Sequence, residues 1–235
     1  MSRSSSAAGA GRPVIMCFRD DLRLADNRAL MAAIATGQPL IAIYVFDEET
    51  SDIRPLGGAS RWWLHHSLSA LTADLTKLGA ALHIYRGEAG QLVPKLAIAA
   101  KASAVFWSRR YGGVERDIDT SVKTALRDVG IEAESCNDHL LIEPWEVKTK
   151  SGEPFKVFTP FWRAARMLGD APEPLGRPRK LQTGEPPASP KPVTLGSTAC
   201  AYCPPSPTGP PDCATPGHQA RLARARRSCI SRRGA

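Results

Sequence analysis

Five short apolar runs recur along the first 140 positions: VIMCF at 14–18, LIAIYVF at 40–46, ALHIY at 81–85, AVFWS at 104–108 and IEAESC at 131–136. Where apolar side chains are consecutive rather than alternate, the strand is one that is covered on both faces. The segments between the runs have helical spacing. From 60 to 78, Leu64, Leu68, Leu71, Leu75 and Leu78 recur at intervals of four and three, which gathers them on one stripe, and Gly79 stands where a helix stop is expected. The order βαβαβαβαβ predicts an α/β fold: an open, doubly wound, five-stranded parallel sheet of Rossmann-like kind with right-handed crossovers, ending near 140–142. Beyond it, Ser151-Gly152 marks a turn. KVFTPFWRAARML then predicts one more helix at about 160–168, with Thr159 as its cap and Pro160 at its first position.

Sheets of this kind bind ligands beyond the carboxyl ends of their strands. The stretch FRDDLRLADNRAL, residues 18–30, falls there: after Phe18 the chain turns to Arg19, Asp20, Asp21, Arg23, Asp26 and Arg28. Residues 19–25 read as a wet loop in which charge costs little, and Asp26 as the cap of a helix that starts with Asn27. Arg109 and Arg110, before Tyr111, end the fourth strand at the same edge. They either face an anion or pair with Glu115 and Asp117.

Charge and composition divide the chain near Asp170. Of 235 residues, 43% are hydrophobic and 23% charged, ordinary values for a globular protein, and the formal charge is +8. Residues 1–170 hold 21 Lys+Arg against 20 Asp+Glu, while 171–235 hold 10 against 3, so the basicity belongs to the tail. The tail also takes 13 of the 20 prolines and four of the six cysteines, and none of the tryptophans or phenylalanines. It has little to bury and predicts an unstructured Pro/Arg-rich segment from 171 to 235, with a polar, disordered extension at 1–12 and the folded domain at 13–170. No run is long and apolar enough for a bilayer, and no signal-peptide core follows the start, so a cytoplasmic protein is expected. Cys17 and Cys136, one in each of two predicted strands, fit reduced core thiols.

Several chemistries lose their basis. The first βα loop lacks glycine, so the pyrophosphate-cradling fingerprint is missing, and neither a Walker-type lysine loop nor a nucleophile-elbow serine occurs. Cys200, Cys203, Cys213 and His218 are possible zinc ligands in kind, but their proline-rich, unsupported setting predicts no zinc knuckle. His65, His66, His83 and His139 lack metal spacing. No metal site and no catalytic residue is expected. Trp62 and Trp63, at the start of an amphipathic helix, read as core. Arg221, Arg224, Arg226, Arg227, Arg232 and Arg233 read as a basic end with weak, nonspecific nucleic-acid binding at most.

Taken together, FRDDLRLADNRAL, RWWLHHSLSAL at 61–71, SRRYGGVERDID at 108–119, LLIEPWEVKTKSG at 140–152 and KVFTPFW at 156–162 resemble the amino-terminal domain of the photolyase and cryptochrome family. The likeness covers about 13–170, in order and spacing. It implies a light-driven flavoprotein that splits cyclobutane pyrimidine dimers in damaged DNA, this domain holding or flanking an antenna, either a folate (methenyltetrahydrofolate) or a deazaflavin. The FAD, the lesion pocket and the electron-carrying tryptophans of the family belong to a helical domain that follows, and this chain is expected to be truncated before it. Arg19, Asp21, Leu22, Arg23, Asp26 and Asn27 match the family's Arg-x-Asp-Leu-Arg and Asp-Asn pattern; their expected role is structural, by local pairing. In folate-using relatives an Asn-Glu pair after the fourth strand grips the pterin. Glu115 matches the acid and Val114 replaces the amide. Arg19, Arg109, Arg110, Tyr111 and Glu115 are thus the candidate antenna residues.

Family-like sequence runs to about 179–181 and gives way to Pro, Cys, Arg and Ala, the composition that GC-rich codons give when misread, so an out-of-frame or truncated tail is expected. The alternatives in function are a stand-alone pterin- or nucleotide-binding module and a blue-light-receptor fragment without repair activity. Phe158, Phe161 and Trp162 are expected to lie against the missing helical domain.

Overall fold

All five apolar runs form strands of one parallel sheet in the computed structural model, which describes residues 11–169 and 172–193. The elements are β1 (Val14–Phe18), α1 (Arg28–Ala35), β2 (Leu40–Phe46), α2 (Gly58–Lys77), β3 (Leu82–Arg86), α3 (Ala89–Ala99), β4 (Ala104–Ser108), α4 (Gly113–Asp128), β5 (Glu132–Cys136) and α5 (Phe158–Arg166). The strand order is β3-β2-β1-β4-β5, every pair parallel. The order reverses between β1 and β4, which makes their carboxyl ends the switch point where such sheets take ligands.

β1 is buried along its whole length because each of its faces meets a different core. Ile15 and Cys17 join Ile43, Val105, Trp107 and residues of α3 and α4, including Val93, Leu96, Val122 and Leu126. Met16 and Phe18 join Leu30 of α1, Leu71 and Leu75 of α2, and Phe106. Burial of each such side chain stabilises the fold by about 1.5–3 kcal/mol before ordering costs. Gly79 ends α2 with φ 84 while Ala80 donates to the Leu75 carbonyl at 3.0 Å, the left-handed stop expected of it. At the start of α2, Trp62 and Trp63 depart from the core role expected of them: they lie off the leucine stripe and are 38% and 70% exposed. The Trp62 ring meets His66 edge-on at 4.4 Å.

Three further expectations change. Asn27, not Asp26, is the N-cap of α1: its Oδ1 accepts from the Leu30 amide at 2.7 Å. Asp26 instead takes φ 50, and its carboxylate accepts from the Leu175 amide. Val157 rather than Thr159 precedes α5, so Pro160 sits third in a first turn whose amides have no intrahelical acceptor. The segment 172–193, expected as unstructured, is bound to the domain. Leu181 is buried among α1, α2 and sheet residues, and Gln182 and Gly184 bracket Leu40 with backbone hydrogen bonds of 2.7 and 2.9 Å. β2 begins two residues before its partner β3, so the start of β2 has an open edge that Thr183 fills, and Val193 then pairs antiparallel to Ile84 on the outer edge of β3. Capping an open edge is the physical reason that a proline-rich stretch is ordered there. The expected extension over most of 1–12, the zinc-ligand types at 200–218 and the arginines from 221 onward lie outside the described residues. Among the described residues no helix is long and apolar enough to cross a membrane, and no group of three or more His, Cys, Asp and Glu is placed to hold a metal.

Candidate functional site

The carboxyl edge at β1 and β4 is built around one carboxylate. Strand alternation carries Arg19, two residues past Cys17, to the α3/α4 side of the sheet, where α4 presents Asp119. Asp119 Oδ2 accepts from Trp107 Nε1 at 3.1 Å, and its Oδ1 accepts from Arg110 Nη2 at 2.7 Å. Arg19 Nη2 lies 3.7 Å from the same Oδ1. The side chains of Arg19, Arg110 and Asp119 are 4%, 12% and 10% exposed, so one buried negative charge serves two buried guanidiniums. Arg19 Nε and Arg110 Nε are buried with no hydrogen-bond partner among the described residues. Within this buried trio the guanidiniums outnumber the carboxylate by one, and the acids Asp20 and Glu115 stand nearby. Beneath it, burial pushes the Cys17 thiol up, against the pull of Arg19 and Arg110.

A second network steadies the loop after β4. Arg109 is not paired with the neighbouring acids: Nη1 contacts Glu143 Oε1, Nη2 donates to the Ser135 carbonyl at 2.7 Å, and the guanidinium lies 5.4 Å from the Trp145 ring centre. Tyr111 donates to Glu143 Oε2 at 2.7 Å. Burial and that bond push the tyrosine hydroxyl up to about 12. At the end of β2, Asp47 gathers the amides of Glu49, Thr50 and Ala89 and the Thr50 hydroxyl. Burial opposes its charge, but those hydrogen bonds outweigh it and hold the carboxyl low.

The five candidate antenna residues therefore reach one edge in different states. Arg19 and Arg110 brace Asp119. Arg109 and Tyr111 hold Glu143. Glu115, in the first turn of α4, has a half-buried carboxylate that makes no hydrogen bond among the described residues; it folds over Gly112 so closely that a Cβ there would lie 2.1 Å from Oε2. Val114 beside it packs on the α3/α4 core. The motif residues divide likewise. Arg23 pairs locally with Asp26 at 3.9 Å, as expected of alternating signs, but Asp21 reaches Asn27 and Ser108 instead. Asp119, Ser108, Asp138 and Glu143 escaped the sequence reading because their partners lie 9 to 110 positions away. The one available signal for Asp119 was its place on the buried side of α4 with Ile118, Val122 and Leu126.

A sequence model of the family described as DNA photolyase matches residues 14–179. The chain is 43% identical over 169 residues to a deoxyribodipyrimidine photo-lyase of Agrobacterium fabrum, covering 72% of this chain and 35% of that protein. It is 38% identical over 188 residues to Cryptochrome-1 of Arabidopsis thaliana, covering 79% and 27%. The structure of a bacterial class III photolyase from Agrobacterium tumefaciens superposes with a TM-score of 0.76 at 39% identity, covering 87% of this chain and 41% of that one. The chain thus spans between 27% and 41% of the length of these relatives.

Proposed function

The chain belongs to the DNA photolyase family, and on that premise we propose that it is the antenna-side α/β domain of a deoxyribodipyrimidine photo-lyase, serving light-dependent repair of cyclobutane pyrimidine dimers. The observation that carries the reading is the edge at β1 and β4: two buried guanidiniums on Asp119 beside the unpaired carboxylate of Glu115.

The residues present fit an antenna in part. Glu115 offers an acceptor to the N–H groups of a pterin, and the guanidiniums of Arg19 and Arg110 place positive charge beneath the edge where the carbonyls of either a folate or a deazaflavin would lie. Val114 is turned into the core, so the amide half of the folate grip is not presented at that position. When bound, such a pigment absorbs light and passes on excitation energy; the chain's own part is to bind it, fix its orientation and keep water from its inner face. On this reading FAD and the damaged DNA are handled by the helical domain of the family, and this chain alone neither retains FAD nor repairs dimers.

Absorbance of the purified chain after separate incubation with methenyltetrahydrofolate, a deazaflavin and FAD tests the reading. Retention of one antenna pigment, weakened by Glu115→Gln, is expected. A stable yellow FAD complex that repairs dimers under blue light overturns the assignment, and so does failure to retain either antenna.

A further inference from the structure

Ser108, the last residue of β4, has one hydroxyl proton and two carboxylates in reach. Its Oγ is 2.6 Å from Asp21 Oδ2 and 2.9 Å from Asp138 Oδ2, both hydrogen-bond distances. A serine hydroxyl donates once. Were both acids ionised, one carboxylate oxygen would face the serine lone pairs with no proton between them. The group therefore needs a second proton, carried by one of the acids.

The surroundings assign it. Asp138 accepts from the Arg28 amide at 2.5 Å and the Ala29 amide at 3.2 Å, the first amides of α1, where the helix favours negative charge. Asp21 has no comparable support. It is 6% exposed, its Oδ1 is buried without a partner, and its Oδ2 receives one neutral donor, Asn27 Nδ2, at 3.1 Å. Of the cations nearby, Arg19, Arg23 and Arg109 are committed to other acceptors. On its own loop, Arg19 is on Asp119, and Arg23 is between Asp26 and the Asp138 carbonyl; Asp20 and Asp26 add negative charge. On β4, Arg109 is on Glu143. On α1, Arg28 meets Asp138 through its backbone. After β5, His139 is exposed.

We propose that Asp21 is held as a neutral carboxylic acid that donates its proton to Ser108 Oγ, while Ser108 donates to Asp138 and the amino end of α1 takes up the Asp138 charge. A buried acid kept neutral in order to donate has precedent in the physics of apolar sites. Burial, as the largest influence, raises the Asp21 carboxyl, with the Asp138 charge adding to it and the Ser108 bond, His139 and the residue's own backbone amide opposing. Asp21 is in this account a positioning residue. It joins the β1 loop, the end of β4, the segment after β5 and the start of α1 beneath the edge that carries Arg110 and Glu115, and it acts on a ligand there only through them. The proton assignment stands whether or not that edge takes a pigment.

The folded chain keeps this proton to a higher pH than the unfolded chain does. Its contribution to stability is complete below the unfolded carboxyl range, near ~3.9, and is lost as pH rises through the folded value. The test is carbon-13 NMR of aspartate carboxyls in the whole chain, with thermal unfolding followed across pH. One aspartate resonance is expected to stay at its protonated position after the exposed carboxyls have ionised, and to vanish in Asp21→Asn. Asp21→Asn, whose amide donates to Ser108 in place of the acid, is expected to stay folded and to lose the alkaline decline of the wild type; Asp21→Ala loses stability at every pH. Ionisation of all aspartates together in the ordinary range overturns the proposal, as does an Asp21→Asn variant no better than Asp21→Ala.

Discussion

Replacing Asp119 with alanine removes the one carboxylate on which Arg19, Arg110 and Trp107 converge. Both guanidiniums are nearly buried and cannot turn to water without moving the loops that carry them, so the loss is that of a broken buried pair, about 3–5 kcal/mol. The unpaired indole N–H adds to it, by ~1–3 kcal/mol where no water replaces the acceptor. A domain of this size loses roughly 2–4 °C per kcal/mol, which puts the fall in melting temperature from the broken pair alone at about 6–20 °C. Asp119→Asn isolates the cause: its amide oxygen still accepts from Trp107, but the charge is gone, so most of the loss is expected to remain. Lys77→Ala is the control, because the Lys77–Asp74 pair is solvent-exposed and its loss is expected to leave stability close to that of the wild type. Urea unfolding followed by circular dichroism gives all three values at constant slope. An Asp119→Asn variant within about 1 kcal/mol of wild type refutes the reasoning, since two buried cations would then need no counter-charge.

Four further outcomes are expected. Leu181→Ala, which empties a site on the α1/α2 side of the sheet, should cost about 2–5 kcal/mol and expose 172–193 to limited proteolysis; an unchanged cleavage pattern contradicts the docking of that segment. Asn27→Ala, which removes the α1 cap, should cost about 0.5–2 kcal/mol in urea unfolding. Phe158 and Trp162, stacked with ring centres 6.2 Å apart and exposed on α5, should drive self-association; the double change to serine is expected to abolish it in light scattering with little effect on melting. Tyr111 should titrate at about 12, its contribution to stability being present below the unfolded value near ~10 and lost as pH rises through the folded one; Glu143→Gln should lower the step seen in tyrosinate absorbance.

The framework was legible because its signals are local. VIMCF, LIAIYVF and AVFWS became strands at the residues predicted, and the stripe of Leu68, Leu71 and Leu75 became the buried side of α2. Placement of the charged loop at the carboxyl edge followed from that framework. What carries the site was not local. Nothing near Arg19 indicates that its counter-charge stands one hundred residues on, in α4, and nothing near Asp21 indicates that Ser108 and Asp138 meet it. The expectation of local pairing among alternating charges held only for the exposed Arg23 and Asp26, since a buried charge takes the partner the fold delivers. The proline-rich 172–193 misled for a related reason: its composition reports how little it buries, whereas its order comes from the open edge of β2 and from a single leucine, Leu181.

The claim on which the account turns is that the edge at β1 and β4 is a pigment-binding site. Backbone amide NMR of the chain during titration with methenyltetrahydrofolate, and separately with a deazaflavin, tests it most directly. Saturating shifts confined to residues 19–27, 108–115 and the Asp119 turn of α4, for at least one of the two, are predicted. Shifts that map elsewhere, or none with either compound, contradict it.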